Sequence, residues 1–257
     1  MTDKNTLIKE YKQKISEIKK HNNFYFNLDN PKISDKEYDD LKKEITLLEN
    51  KHLFLKKLNL LNKIVGAKPT NKFTKIRHLK PMLSLSNAFD KKDMLDFNKK
   101  ISNFLNINNK RIEFFSEPKI DGISASLIYE NGILTKGLSR GDGMTGEDIL
   151  ENLKTVRGIP KKLNFNEVPR LIEIRCEVYI GKKDFENLKD NFANARNAAG
   201  GSLRQKDSKA TSKIPLKYFA YGFGAVKPMI FSNQSSFLKK ISDWGFATNP
   251  LSTIISV

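Results

Sequence analysis

Cysteine is almost missing from this chain. Cys176 is its one thiol in 257 residues, which excludes an internal disulfide and any cysteine-rich zinc site within it. Histidine is nearly as scarce, and His21, His52 and His78 have no spacing that would gather them around a metal. There is no apolar run of the ~18 residues that a membrane-spanning helix needs. The first twenty residues interleave Lys with Asp3, Glu10 and Glu17, which suits neither a secretory nor a transit signal, so the expectation is a soluble cytoplasmic protein. Acidic residues are also in short supply: 29 Asp and Glu stand against 46 Lys and Arg, a formal charge of +17. Such an excess suits a polyphosphate or nucleic-acid partner. It is nearly all lysine, in a chain rich in Asn and Ile, and AT-rich coding produces that bias without any ligand. Charge by itself leaves both readings open.

Apolar residues make up 39% of the chain, enough for a real core, and the length predicts one large domain or one with a small appendage. Over residues 5–21, Leu7, Ile8, Tyr11, Ile15 and Ile18 recur at helical spacing. Ser34 and Glu37 form a capping-box pattern ahead of Tyr38, Leu41, Ile45 and Leu48, which predicts a second helix to about residue 50. The stretch VGAKPTNKF, residues 65–73, interrupts both periodicities and reads as a linker. Beyond it the pattern turns to short β-type runs. LIYENGILTKGL is a hairpin with Asn131-Gly132 at its turn. LIEIRCEVYI, residues 171–180, sets Ile172, Ile174, Cys176 and Val178 on one face and Glu173, Arg175, Glu177 and Tyr179 on the other. LKYFAYGFGA is a further strand. The predicted class is α+β: a small helical unit over residues 1–68, then a sheet-based domain over 69–257.

The chemistry points to EPKIDG. Lys119 and Glu117 are two apart, which on a strand gives them one face, and the following hairpin returns Arg140 of SRGDGMTGED towards the same region. A lysine is nucleophilic only when neutral, and a reference pKa of about 10.4 leaves roughly one part in a thousand neutral near physiological pH. Partial burial and neighbouring cations raise that fraction. Arginines 140, 175, 196 and 204 supply cations and guanidinium forks that fit phosphate oxygens. The constellation suits attack of an amine on phosphorus.

EPKIDG, SRGDGMTGED, IRCEVYI, FANARNAAGGSLRQKD and YFAYGFG, in that order, resemble the adenylation segment of the bacterial NAD-dependent DNA ligases. The resemblance runs from about residue 5 to the end. It implies a nucleotidyltransferase domain of antiparallel sheets with helices. It also implies that Lys119 attacks the α-phosphorus of NAD, expels nicotinamide mononucleotide and retains AMP, with magnesium offsetting charge. By the same resemblance, Glu117 accepts from the adenine amino group and Tyr221 stacks on the ring. Ser84 and Leu85 of PMLSLSN line the adenine and ribose side, and Glu177 lies near the ribose and the metal. Asp121 and Arg140 place the lysine and the sugar-phosphate, while Arg196 and Arg204 serve phosphates. YFNLDNPKISDKEYDD matches the family's helical subdomain for the nicotinamide half, through Tyr25, Asp35, Tyr38 and Asp39. The last three fall at i, i+3 and i+4, on one helix face. That block argues against an ATP-dependent nucleotidyltransferase.

The sequence departs from the family in three ways. Phe26 stands where a His or Tyr is usual. NLLNKIVG replaces a Ser-Pro-Thr-Gln-Arg-Val-Gly segment, and Ala195 replaces a proline. No Asp-Gly-Val-Val-x-Lys block, OB-fold, four-cysteine module, helix-hairpin-helix repeat or BRCT domain is present. Self-adenylylation is therefore the expected activity, with nick sealing in replication and repair left to a complete enzyme acting on nicked duplex DNA. The alternative is a non-catalytic remnant that binds NAD or DNA. No protein partner is implied.

Overall fold

The computed structural model of the chain describes residues 4–24, 32–58, 60, 73–107, 111–163, 167–190 and 192–256. Three helices come first: α1 (Lys4–Asn22), α2 (Asp35–Lys51) and α3 (Leu53–Leu58). Ser34 caps α2 as its sequence predicts, its hydroxyl accepting from the Glu37 amide while the Glu37 carboxylate accepts from the Ser34 amide at 2.7 Å. Tyr11, Ile15, Ile18, Ile45 and Leu55 close into a small core of their own. Most of the expected linker, residues 65–72, lies outside the described residues, as does Tyr25.

The remainder contains β1 (Lys75–Arg77), α4 (Lys91–Leu105), β2 (Glu113–Ser116), β3 (Ile123–Glu130), β4 (Ile133–Ser139), β5 (Thr145–Glu147) and α5 (Leu150–Leu153). There follow β6 (Leu171–Ile180), α6 (Lys182–Phe185), α7 (Ala195–Leu203), α8 (Ser208–Thr211), β7 (Leu216–Lys227), α9 (Gln234–Asp243) and β8 (Thr253–Ser256). The class is α+β, as the sequence predicts. An antiparallel sheet of order β4-β3-β6-β7 forms the centre, with two-stranded pairs β1-β5 and β2-β8 beside it.

The hairpin β3-β4 turns at Asn131 (φ 50°) and Gly132 (φ 77°), the two positive values a tight two-residue turn requires. Alternation then sorts the central sheet. Leu127 and Ala125 stand opposite Ile174 and Cys176, and with Ile172, Val178, Phe237, Ile241 and Trp244 they belong to one buried cluster. Each fully buried large apolar side chain contributes about 1.5–3 kcal/mol. Cys176 is wholly buried, and burial pushes its thiol far above the ordinary range, so it is inert. The opposite face carries Ser124, paired in register with Glu177, and Ser126, paired with Arg175. That polar face is the floor of the site.

Candidate active site

Lys119 is not on a strand. The chain leaves β2 at Ser116, and Pro118, which has no amide hydrogen and restricts the residue before it, interrupts pairing until β3 starts at Ile123. The expectation that Glu117 and Lys119 share a strand face is corrected: both sit on a loop between two sheets. Gly122 ends that loop against β6, where a Cβ would lie 2.4 Å from the Val178 carbonyl oxygen, so only glycine allows so close an approach.

The loop borders an open cleft of about 710 Å³. Glu117 and Lys119 line it from the loop, Arg140 from the end of β4, Glu177 from β6, Tyr221 from β7 and Arg196 from α7, with Ser84 and Leu85 on an irregular strap opposite. Eight of the residues singled out in the sequence thus meet at one place. Tyr221 arrives by a bulge: Arg175 pairs with Gly222 and Cys176 with Ala220, which leaves Tyr221 as the extra residue, the usual way a sheet re-aims a side chain beside a site. Asp121 stands at the edge, its carboxylate 3.5 Å from the Arg196 guanidinium. Arg204 caps the far end of α7 and does not line the cleft. Asp35, Tyr38 and Asp39 lie on α2, where the Tyr38 hydroxyl donates to the Asn22 side-chain oxygen at 2.6 Å.

Glu177 is the electrostatic centre. Burial raises its carboxyl above the ordinary range, against the opposing pull of a 2.6 Å hydrogen bond from Ser124 and the charges of Arg196, Lys119 and Arg140. Burial likewise lifts the Tyr221 hydroxyl to about 12, so the phenol stays neutral at working pH. Glu117 is raised too, by burial, with a 3.3 Å hydrogen bond from Ser252 acting the other way. Arg196 donates to the Gly122 carbonyl and lies 3.9 Å from Glu177, and Arg140 donates to Ser84 Oγ at 3.1 Å.

Because the folded pKa of Glu177 exceeds its unfolded value, the native state binds the extra proton. Stability then falls as pH rises from the ordinary carboxylate range through the raised folded value. Glu177→Gln is expected to raise the Tm near pH 8 and to leave it nearly unchanged near pH 4. Calorimetry at the two pH values checks the sign. A lower Tm at pH 8 would mean that attraction to the arginines outweighs burial.

Sequence reasoning passed over two contributors, Ser124 and His78, and misassigned a third. Ser124 becomes visible only once β3 is paired with β6. His78 is buried, and its Nε2 lies 3.0 Å from the Arg140 carbonyl oxygen, a contact 62 residues apart that no local signal announces. Arg175, expected as a phosphate-binding cation, is instead engaged by backbone carbonyls. Among the described residues no three His, Cys, Asp or Glu side chains cluster as a metal site. The partly buried Glu177 carboxylate facing the open cleft is compatible with magnesium, which takes one or two carboxylates and fills its remaining positions with water and phosphate oxygens.

Residues 70–256 match the family model described as the NAD-dependent DNA ligase adenylation domain. The chain belongs to that family. Ahead of the adenylation domain, residues 4–58 match a second model, the DNA ligase-like N-terminal NAD+-binding domain. Among curated relatives, the DNA ligase of Pelagibacter ubique is 53% identical over 251 residues, covering 97% of this chain and 37% of that protein. The DNA ligases of Rickettsia canadensis and Rickettsia massiliae are 48% and 47% identical, over 96% and 97% of this chain and 36% and 37% of their own lengths. The chain thus spans little more than a third of the relatives it matches. Among the described residues no helix is long and apolar enough to cross a membrane.

Proposed function

We propose that this chain carries out the first step of NAD-dependent DNA ligation, its own adenylylation. Neutral Lys119 Nζ attacks the α-phosphorus of NAD; a P–N bond forms as the pyrophosphate P–O bond breaks, and nicotinamide mononucleotide leaves with the bonding pair. The lysine's protons pass to solvent through the open cleft. Arg140 and Arg196 offset charge on the phosphates, and Glu177 orients the ribose and would hold magnesium, which would supply further charge neutralisation when bound. Tyr221 stacks on adenine and Glu117 accepts from its amino group. Asp121 positions the lysine loop through Arg196, and Arg204 serves phosphate or DNA later in the cycle. Residues 1–68, through Tyr25, Asp35, Tyr38 and Asp39, grip the nicotinamide half, and residues 69–257 form the nucleotidyltransferase unit. In the complete enzyme the AMP moves to the 5′-phosphate of a nick, for sealing in replication and repair.

The observation that carries this reading is the convergence of Lys119, two arginines and the partly buried Glu177 carboxylate on one cleft. Incubation with NAD and magnesium followed by intact mass spectrometry is expected to show one added AMP per chain. No adduct under any NAD concentration would favour a protein that binds without turnover.

A further inference from the structure

The strap that carries Ser84 and Leu85 has no regular structure between Leu79 and Phe89, yet it forms one wall of the cleft. Leu83 and Leu85 are exposed, so apolar packing does not fix it there; Met82 alone is buried, its amide donating to the Gly143 carbonyl at 2.8 Å. At its far end the Phe89 amide donates to the Asp93 carboxylate at 2.9 Å, and beside the cleft two arginines hold the strap. Arg140 reaches Ser84, and Arg175 donates from one terminal nitrogen to the carbonyl oxygens of Lys80 at 2.9 Å and Pro81 at 3.1 Å.

Arg175 is itself held from behind. Glu173, on the same face of β6, is fully buried and lies 3.8 Å from the Arg175 guanidinium. Its carboxylate also accepts from Ser126 Oγ at 2.8 Å and from the Ala225 amide at 3.1 Å. Space for it exists because residue 224 is glycine: a Cβ there would lie 2.0 Å from Glu173 Oε2. A buried acid with two fixed donors is a rigid anchor, since moving it would leave buried polar groups without partners. The guanidinium transmits that rigidity from the sheet to the strap backbone.

We infer that Arg175 is a positioning residue for the nucleotide: anchored on Glu173, it holds the Lys80–Pro81 backbone so that the strap presents Ser84 and Leu85 to the adenosine half. The inference rests on the proposed nucleotide site. Arg175 touches no reacting atom, so its loss weakens capture of NAD and leaves the attack of Lys119 on bound NAD largely intact.

Arg175→Lys is the sharpest variant, because it keeps a positive charge beside Glu173 while its side chain is one bond, roughly 1.3 Å, too short for the two carbonyls. Arg175→Met removes charge and grip together. Amide exchange of each full chain is followed by mass spectrometry, and single-turnover AMP transfer is measured against NAD concentration. In Arg175→Lys, exchange at Met82, whose amide is bonded to the Gly143 carbonyl, is expected to quicken about tenfold or more with β3 and β6 unchanged. The half-saturating NAD concentration is expected to rise about tenfold, with the saturating rate within about threefold of the parent. Unchanged exchange at Met82, protection lost evenly across the sheet, or a lower saturating rate at constant half-saturation each overturns the inference. Absence of any adduct in the parent chain would sink the proposed function instead, and exchange, which needs no NAD, would still decide whether the strap hangs on Arg175.

Discussion

Lys119→Ala is expected to leave no AMP on the chain at any NAD concentration, with the Tm within about a degree of the parent. Lys119 is exposed on a loop, so truncating it opens no cavity, and surface changes of that kind usually shift stability by less than ~0.5 kcal/mol. Its chemistry has no substitute nearby: Arg140, Arg175 and Arg196 line the same cleft, and a guanidinium stays protonated and cannot attack phosphorus. Lys119→Arg fails for the same reason, although it keeps the charge that faces Glu177. Peptide mapping of the parent adduct provides the check. AMP on any other lysine would refute the assignment of the nucleophile.

The second large effect concerns the helical unit. Removing residues 1–68 is expected to lower the rate of adduct formation from NAD by ~100-fold or more, while the shortened chain still melts cooperatively. Binding energy from the part of a substrate remote from the reacting bond is what aligns that bond, so losing the grip on the nicotinamide half slows the chemistry as well as the capture. The fold should survive because the helical core of Tyr11, Ile15, Ile18, Ile45 and Leu55 shares no residue with the cluster beneath the central sheet. Single-turnover rates on folded material, verified by circular dichroism, decide the matter. An unchanged rate would remove Asp35, Tyr38 and Asp39 from the cofactor's path.

Local signals carried the fold a long way. The capping box at Ser34, the Asn131-Gly132 turn and the alternation of β6 each follow from a few neighbouring residues, and each stands where the sequence puts it. What the sequence hid is non-local. Ser116 pairs with Thr253 across most of the domain, and neither short strand has an alternation long enough to announce itself. Lys119 was singled out from its neighbours in sequence, but on an expected strand, and Pro118 accounts for its departure from one. The engagement of Arg175 was not, because backbone carbonyls of a strap far away in sequence leave no residue-type signature. Tyr221 reaches the cleft by a bulge, and a bulge breaks the period on which facing is inferred.

Lys119 hangs on the crossover from the β2-β8 pair to the central sheet, whereas Glu177 and Tyr221 ride on the central sheet itself. A small rotation of one sheet against the other therefore carries the nucleophile along an arc, towards or away from groups that keep their mutual spacing. The amine and the carboxylate thus belong to different sheets, and the distance between them is set by how the β2-β8 ribbon meets the central one.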